Sequence, residues 1–390
     1  MKENTNNGEK QRLPILGLLA LAMAGFMAIM TETLPAGLLP QISNGLNVSE
    51  SLAGQLVTLY AIGSLTAAIP VIVTTRRWRR RPLLLLAICG FLVFNSITAV
   101  SSDYILTLVA RFFAGVSAGI AWGLIAGYAR RMVSDEFKGR GMAIAMIGTP
   151  IALTFGVPIG TFLGAFIGWR SVFGIMSLMA LILIGWVLWK VPDYPGQSNG
   201  DQLSIIDVFK TPEVRSILFV VMTWMTAHNI LYTYIAPFLI SLDMQRVDLA
   251  LFLFGVSALT SIFIVGSLID RWLRTLLLGS IAAFTIDSVL LGISGGNAIV
   301  IYLGVIMWGL TFGGAATLLQ TALAEAVKDE AVDMVMSINT TVWNLAIASG
   351  GLTGGILLKT IGAGSFSWAM FVLLLLALFA ALRSKRHGFT

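Results

Sequence analysis

The chain has 390 residues, of which 57% are hydrophobic and only 11% are charged. Soluble domains carry roughly a quarter charged residues, so this composition excludes an ordinary water-soluble fold. Apolar runs of about 20 residues recur along the whole length, and each can cross a hydrocarbon core of about 30 Å. The sequence therefore predicts an all-α membrane protein, because an outer-membrane barrel would show alternating strands of about ten residues instead.

Twelve transmembrane helices are predicted in chain order. Their limits are 13–39, 52–74, 83–100, 104–130, 140–166, 170–190, 214–240, 248–269, 275–293, 298–324, 333–358 and 364–382. The polar start, 1–12, is a predicted cytoplasmic tail, and the first span is too long for a cleaved signal peptide. Two six-helix bundles, 13–190 and 214–382, are separated by a cytoplasmic linker at 191–213 that is rich in Pro and Gly, and 383–390 is a second cytoplasmic tail.

The distribution of basic residues predicts the orientation of the bundle. Of the 25 Lys and Arg residues, Arg170, Arg246 and Lys359 fall in the loops of one side and Arg111 falls within span four, which leaves 21 for the other side. Basic residues accumulate in cytoplasmic loops, so both termini are expected in the cytoplasm of a bacterial inner membrane. The same rule explains the charge of +6 without a nucleic-acid partner.

Features of the first half recur in the second at an offset of 194 residues. The matched glycines are Gly115 with Gly309, Gly119 with Gly313, Gly156 with Gly350, and Gly160 with Gly354. Six spans followed by six related spans in the same orientation form a parallel repeat, the arrangement of transporters with two rocking halves. We therefore predict two bundles related by a pseudo-twofold axis. At this offset Glu32 matches Thr226, so the second half is expected to lack an equivalent acid.

Span five carries glycines on one face and a proline. Gly156, Gly160 and Gly164 recur every four residues, which lets a neighbouring helix approach closely. Pro158 removes a helical hydrogen bond and is expected to bend the helix. A bent, close-packed helix suits a sliding seam between the two halves, and simple helix packing explains the pattern equally well.

Four stretches carry a family resemblance: T-E-T-L-P-A-G-L-L-P at 31–40, R-F-F-A-G-V-S-A-G at 111–119, G-V-P-I-G-T-F-L-G-A-F-I-G-W-R at 156–170, and N-L-A-I-A-S-G-G-L-T-G-G at 344–355. Over residues 13–382 the chain resembles the major facilitator superfamily. Within it, the chain is most similar to the twelve-span drug:H+ antiporter branch and its arabinose-efflux-permease-like sugar or multidrug efflux transporters. The third stretch resembles the span-five antiporter motif of that branch.

One superfamily motif is altered in the first half. The pattern G-x-L-x-D-R-x-G-R is replaced between spans two and three by a stretch rich in arginine, from Arg76 to Arg81. The second half keeps Gly266, Asp270 and Arg271, and the resemblance implies a gating or packing role for them. We expect the arginines to contact the acidic loop after span ten across the halves, although topology alone accounts for them equally well. The acids of that loop are Glu325, Asp329, Glu330 and Asp333.

Glu32 in span one is the strongest candidate for a functional group. A carboxylate inside a membrane is costly and marks a functional site by default. Arg111 lies about 12 Å below the outer end of span four, at a depth similar to that of Glu32, and the resemblance implies that both helices line a central cavity. We expect Glu32 to exchange a proton and Arg111 to tune it, whereas a static ion pair is the alternative.

Polar and aromatic residues of spans seven, ten and eleven are further candidates for the substrate cavity. Polar side chains also join helices in lipid, so each assignment has a packing alternative. Asp287 in span nine is expected at the periphery, and whether it or His228 titrates is left open. The cavity candidates are His228, Asn229, Tyr232, Trp308, Gln320, Asn339, Trp343 and Asn344.

Several function classes are disfavoured by what the sequence lacks. One cysteine, Cys89, and two histidines cannot form a metal cluster, and no disulfide within the chain is possible. A phosphate-binding Gly-Lys-Ser/Thr loop is missing, so ATP is not expected to drive the protein directly, and no enzymatic nucleophile motif is present. The expected energy source is a proton gradient, with no cofactor.

These observations predict a secondary active transporter, not an enzyme. It is expected to export a small organic compound (a drug, sugar or metabolite) by alternating access, in antiport with protons, as a monomer in the lipid bilayer. A proton-independent facilitator or an importer on the same fold is the first alternative. A non-transporting membrane receptor is the second, and it would be expected to carry larger soluble segments than the linker of about 22 residues found here.

Overall fold

The protein is described from a computed structural model, which covers residues 13–68, 74–75, 77–196, 211–328 and 331–384. Within these ranges the chain is helical and contains no β-strand. The first half comprises α1 (Ile15–Gly37), α2 (Leu39–Leu46), α3 (Glu50–Ala68), α4 (Arg80–Val100), α5 (Tyr104–Arg131), α6 (Lys138–Met146), α7 (Gly148–Ile151), α8 (Val157–Ile167) and α9 (Trp169–Lys190). The second half comprises α10 (Pro212–Thr233), α11 (Ile235–Ile240), α12 (Val247–Gly292), α13 (Ala298–Phe312), α14 (Ala315–Glu325), α15 (Val332–Thr360) and α16 (Ser365–Arg383).

The described helices confirm the all-helical membrane fold. Ten of them, counting short consecutive helices together, are long and apolar enough to cross a membrane. Of these ten, α12 has 46 residues, about 69 Å at 1.5 Å per residue, and its interior residue Trp272 has non-helical φ and ψ angles of −133° and 23°. It therefore supplies two of the predicted spans. The 19-residue α3 is not among the ten, so the count of twelve stays a prediction at span two.

Matched glycines make the two halves pack in the same way. Each lets its helix approach the backbone of a neighbour so closely that an added Cβ would lie only 1.9 to 2.7 Å from a carbonyl oxygen. Every residue in the first-half contacts has its counterpart 194 residues later, so the sequence repeat is also a structural repeat. The contacts are Gly115 with Tyr60, Gly119 with Ser64, Gly309 with Phe254, and Gly313 with Ala258.

The first helix of each half is interrupted near one end by a single non-helical residue. Leu38 separates α1 from α2, and Tyr234 separates α10 from α11. These breaks differ by 196 residues, two more than the offset of the glycines. Counted from the breaks, the counterpart of Glu32 is His228, six residues before its break, and not Thr226 as the offset of 194 predicts. The second half still has no equivalent acid, but it has an ionisable group at the matching place.

Hydrogen bonds join the two halves at the outer end, the end away from the basic loops. Ser51 at the start of α3 donates to the carbonyl of Gly355 over 2.7 Å. Gln55, one turn further along, donates to the hydroxyl of Tyr234 over 3.2 Å, and that hydroxyl donates to the carbonyl of Gly351 over 2.9 Å. The structure is therefore closed between the halves on its outer side.

In span five a π-helical turn at Ala152–Gly156 lies directly before the helical segment that contains Pro158, and the bend expected at this proline stays a prediction. Its glycine face packs on α1 of the same half, where added Cβ atoms would lie 2.3 to 2.6 Å from side chains. The contacts are Gly156 with Met30, Gly160 with Leu34, and Gly164 with Leu38. The glycines thus serve close packing within the first half, and the role of span five as a sliding seam between the halves stays a prediction. Span five also makes a hydrogen bond to the second half, in which the hydroxyl of Thr154 donates to the carbonyl of Gly255 over 3.0 Å.

Candidate functional site

Arg111 is held inside the first half. It is 0% exposed on α5, and one of its terminal nitrogens donates to the backbone carbonyl of Thr31 on α1. Its guanidinium lies 4.9 Å from the ring centre of Tyr60 and 5.8 Å from that of Phe173, so aromatic faces supply part of the missing solvation. Because Thr31 precedes Glu32 in the chain, Arg111 and Glu32 lie at the same level of the bundle.

Glu32 has no direct partner among the residues that the structure describes. Its side chain is partly buried, and no hydrogen bond or ion pair within 4.0 Å reaches its carboxyl there. The charge of Arg111 is nevertheless close enough to act on it electrostatically. Two guanidinium nitrogens of Arg111, Nε and Nη1, are buried and make no hydrogen bond in the described part of the chain. The two groups are therefore neighbours but do not form a closed ion pair.

Two further polar side chains fix α1 around this site. The hydroxyl of Tyr60 donates to the carbonyl of Ala28 over 2.8 Å, and the amide of Asn95 donates to the hydroxyl of Thr31 over 3.0 Å. All four residues are buried. Sequence reasoning missed Tyr60, Asn95 and Thr31, although an amide within the apolar span three is a signal that could have identified Asn95. Tyr60 on α3, Asn95 on α4 and Arg111 on α5 together hold α1 next to Glu32 from three helices.

Tyr232 is the residue of the second half that lies next to Glu32. The hydroxyl of Tyr232, on α10, lies close to Thr33 and to the carboxyl of Glu32. The hydroxyl of Thr33 itself donates to the carbonyl of Ile29 over 2.7 Å, so it remains available as an acceptor. Of the cavity candidates, Tyr232 is thus the one that the structure places beside the predicted proton site.

An aromatic cluster surrounds His228 in the second half. The indole nitrogen of Trp308 donates to Nδ1 of His228 over 3.1 Å, which leaves the proton of the neutral imidazole on Nε2. The imidazole lies flat on the ring of Phe312, with centroids 3.5 Å apart, and the ring of Phe254 packs at a tilt of 41° against that of Trp308, with centroids 4.3 Å apart. Sequence reasoning singled out His228 and Trp308, but Phe254 and Phe312 look like ordinary apolar residues in the sequence.

The other cavity candidates separate into different environments. Asn229 and Asn344 turn their amides back onto their own helices, to the carbonyls of Met225 and Thr340, each over 2.9 Å. Trp343 is partly buried in the apolar contact between α3, α10 and α15. Asn339 is buried, and its side-chain oxygen makes no hydrogen bond within the described chain, whereas Gln320 is exposed on α14.

The remaining gating candidates lie at or near the bend of α12. An added Cβ on Gly266 would meet nothing within 4 Å, so this glycine does not serve a close helix approach. Asp270 and Arg271 are exposed, and the guanidinium of Arg271 lies 5.8 Å from the ring centre of Trp272. Their gating role stays a prediction.

The arginine-rich loop between spans two and three contacts an acidic residue of the same half, Asp193. Arg79 pairs with Asp193, just after α9, at 2.5 Å, and the amide of Arg81 donates to the same carboxylate over 3.0 Å. Partial burial acts to raise the pKa of Asp193, but the hydrogen bonds from Arg79 and Arg81 outweigh it and lower the pKa below its usual range. Arg76, Asp329, Glu330 and the side chain of Asp333 lie outside the described residues, so the predicted contact between the halves stays a prediction.

Asp287 is a second buried acid. It lies near the C-terminal end of α12 and is 1% exposed. Neither of its carboxyl oxygens has a hydrogen-bond partner among the described residues. An added Cβ on Gly304 would lie 3.0 Å from its Oδ1, so the carboxyl packs against α13. An unpaired charge there would be costly.

The sequence is similar to known membrane transporters over most of its length. The sequence model of the Major Facilitator Superfamily matches residues 21–351, with a second match at 241–387. A protein of Pasteurella multocida (strain Pm70) named "Probable sugar efflux transporter" is 26% identical over 94% of this chain and 92% of its own length. A protein of Helicobacter pylori (strain G27) with the same name is 26% identical over 95% of both chains.

A solved structure supports the fold alone. The human organic anion transporter MFSD10 (TETRAN) superposes with a TM-score of 0.67 at 17% identity, and the match covers 95% of this chain and 98% of the human one.

Proposed function

Because this chain belongs to the Major Facilitator Superfamily, whose sequence model matches most of its length, we propose that it exports a small sugar in exchange for protons. Relatives that match over nearly the whole chain are named as sugar efflux transporters, which supports the substrate class. The proposed setting is a bacterial inner membrane with both termini in the cytoplasm, and the proposed energy source is the proton gradient acting on a monomer.

The observation that carries the proposal is the unpaired carboxyl of Glu32 beside Arg111. An acid that exchanges protons must exist both protonated and ionised during the cycle, so it cannot be locked into a permanent ion pair. Arg111 is anchored through one nitrogen to the carbonyl of Thr31 and keeps two unused nitrogens. Ionised Glu32 can therefore take up these donors, and protonation releases them again.

The position of Glu32 links this proton exchange to the movement of the halves. Tyr232, from the second half, lies beside Thr33 and Glu32 of the first. When the halves separate around this level, Glu32 loses Tyr232 as a neighbour but keeps Arg111, which belongs to its own half. The energy of the ionised carboxyl thus depends on the conformation, which is the requirement for coupling.

The aromatic cluster around His228 supports a neutral substrate with many hydroxyl groups. Sugar rings pack on aromatic faces, and their hydroxyl groups need fixed donors and acceptors at the edge of such a cluster. His228 with its Nε2 proton and Tyr232 with its hydroxyl can provide them. The only charged groups in this central region of the described chain are Glu32 and Arg111, which disfavours a polyanionic substrate.

The test is transport by purified protein in liposomes under an imposed pH gradient, with radiolabelled hexoses and disaccharides. Glu32→Gln keeps the size and polarity of the side chain and removes the exchangeable proton. We expect this variant to lose uphill transport at least tenfold, while sugar-for-sugar exchange without a gradient continues.

Glu50→Gln is the matched control, because Glu50 is the acid at the outer start of α3, away from the site. It should behave like the wild type in both assays. Uphill transport by Glu32→Gln with an unchanged dependence on pH would refute the role of Glu32. Wild-type counterflow that ignores collapse of the proton gradient would favour a facilitator instead.

A further inference from the structure

A recess of about 460 Å³ opens at the outer end of the bundle between the two halves. The first half contributes the junction of α1 and α2 and the outer part of α8, and the second half contributes α11 and the start of α12. Its volume lies within the range of ordinary small-molecule sites. At its floor Gly37 approaches Thr161 so closely that an added Cβ would lie 2.0 Å from the threonine hydroxyl. The lining of the recess comes from both halves and shares no residue with the central site around Glu32 and His228.

One wall of the recess presents a cation and an anion side by side. Arg246 donates through Nε and Nη2 to the two carboxylate oxygens of Asp248, over 3.0 and 2.9 Å. This pairing uses two of the five guanidinium N–H groups, so three donors remain, and each carboxylate oxygen keeps acceptor capacity. The pair has no net charge, yet it offers donors on one edge and acceptors on the other.

The opposite wall is apolar and faces the membrane. Phe162 and Phe166 of α8 are 47% and 72% exposed, with ring centroids 4.7 Å apart. On a membrane-spanning helix that ends at Ile167, these rings lie within about 8 Å of the outer end, at the level where lipid headgroups meet acyl chains. The hydroxyl of Thr161 between the walls is buried and has no hydrogen-bond partner among the described residues, although a polar group there is normally satisfied.

We propose that the outer recess binds one zwitterionic aminophospholipid of the outer leaflet. Its phosphate meets the unused N–H groups of Arg246 and the hydroxyl of Thr161, and its ammonium meets Asp248. The parts of its acyl chains next to the headgroup lie along Phe162 and Phe166. An anionic headgroup would place its uncompensated charge beside Asp248. A choline headgroup carries the same charges but has no N–H to donate to the carboxylate.

Because the walls come from different halves, this lipid acts on the conformational equilibrium. A ligand that binds only when the outer side is closed stabilises that state by its differential affinity. The inference depends on the outer closure and the recess, and it is independent of whether the exported compound is a sugar or whether protons drive export.

The test is native mass spectrometry of the purified full-length chain in detergent, titrated separately with dioleoyl phosphatidylethanolamine, phosphatidylcholine and phosphatidylglycerol. We expect one ethanolamine lipid per chain, bound at least fivefold more tightly than either of the others. Asp248→Asn should weaken its binding at least fivefold. Asp243→Asn is the matched control, since Asp243 is exposed on the preceding turn, outside the recess, and in a left-handed conformation that Asn accepts, and its binding should be unchanged.

A second variant keeps the proposal testable if Asp248→Asn does not fold. Thr161→Val keeps the shape of the buried side chain, removes only its hydroxyl, and should weaken ethanolamine lipid binding about twofold to fivefold. Equal binding by wild type, Asp248→Asn and Thr161→Val would overturn the proposal. So would displacement of the lipid by millimolar maltose with a dependence on Asp248, because the recess would then be a sugar site.

Discussion

Replacing Gly115 by Ala inserts a methyl group where α5 touches the backbone of α3. The added Cβ would lie 1.9 Å from the carbonyl oxygen of Tyr60 and 3.0 Å from the amide nitrogen of Ser64. Ordinary contact begins at 3.4 Å, so the helices must separate locally by about 1.5 Å, the difference between 3.4 and 1.9 Å. Overpacking of this kind lowers the free energy of unfolding by about 1–3 kcal/mol. We expect a loss at the upper end of this range, because the atom that the methyl group meets is a backbone oxygen that cannot rotate away.

The displacement also reaches the proton site. Tyr60 stacks on Arg111 and donates to the carbonyl of Ala28, so moving its backbone loosens both contacts. We therefore expect Gly115→Ala to lower the thermal midpoint of the purified protein by several degrees and to reduce uphill transport at least fivefold. The measurements are intrinsic tryptophan fluorescence during heating and transport in liposomes.

Gly127→Ala is the matched control, because it lies on the same helix and an added Cβ would meet nothing within 4 Å. Both substitutions gain up to about 1 kcal/mol of helix propensity, so their difference isolates the clash. The control should match or exceed the wild-type thermal midpoint. If the two variants melt and transport alike, the close approach of α5 to Tyr60 is wrong.

Two further variants, a double-cysteine variant and Trp308→Phe, test the outer closure and the aromatic cluster. Ser51→Cys with Gly355→Cys, in a Cys89→Ser background, should form a disulfide. A Cβ on Gly355 would lie 3.2 Å from the Ser51 hydroxyl. In a disulfide, each sulfur lies at a similar distance, ~3 Å, from the Cβ of the other cysteine. Oxidation should then stop transport and reduction should restore it, with Gly355→Cys alone as control; undiminished transport by the cross-linked protein would contradict alternating access through this side. Trp308→Phe keeps an aromatic ring but loses the donor to His228, so it should cost about 1 kcal/mol and raise the KM for sugar. Trp224→Phe, at a buried indole without a described hydrogen bond, should cost less, and equal losses would contradict the role of that hydrogen bond.

The sequence by itself determined the membrane class, the helix order and the repeat, because these depend on composition and local periodicity. Apolar runs must become helices in lipid, where every backbone group needs an internal partner. The offset of 194 residues identified Gly115 and Gly309 before their identical contacts could be seen. Glu32 and Arg111 stood out for the same local reason, since a charge in an apolar run is costly wherever its partner lies.

Only the tertiary structure decided which side chains meet. Nothing local distinguishes Phe254 or Phe312 from other membrane phenylalanines, and they become part of a site only because α10, α12 and α13 converge on His228. The breaks at Leu38 and Tyr234 moved the counterpart of Glu32 from Thr226 to His228, because a helix interruption resets a register that a fixed offset assumes constant. The glycine face of span five packs on α1 of its own half, since a stripe of small residues permits a close neighbour without selecting it.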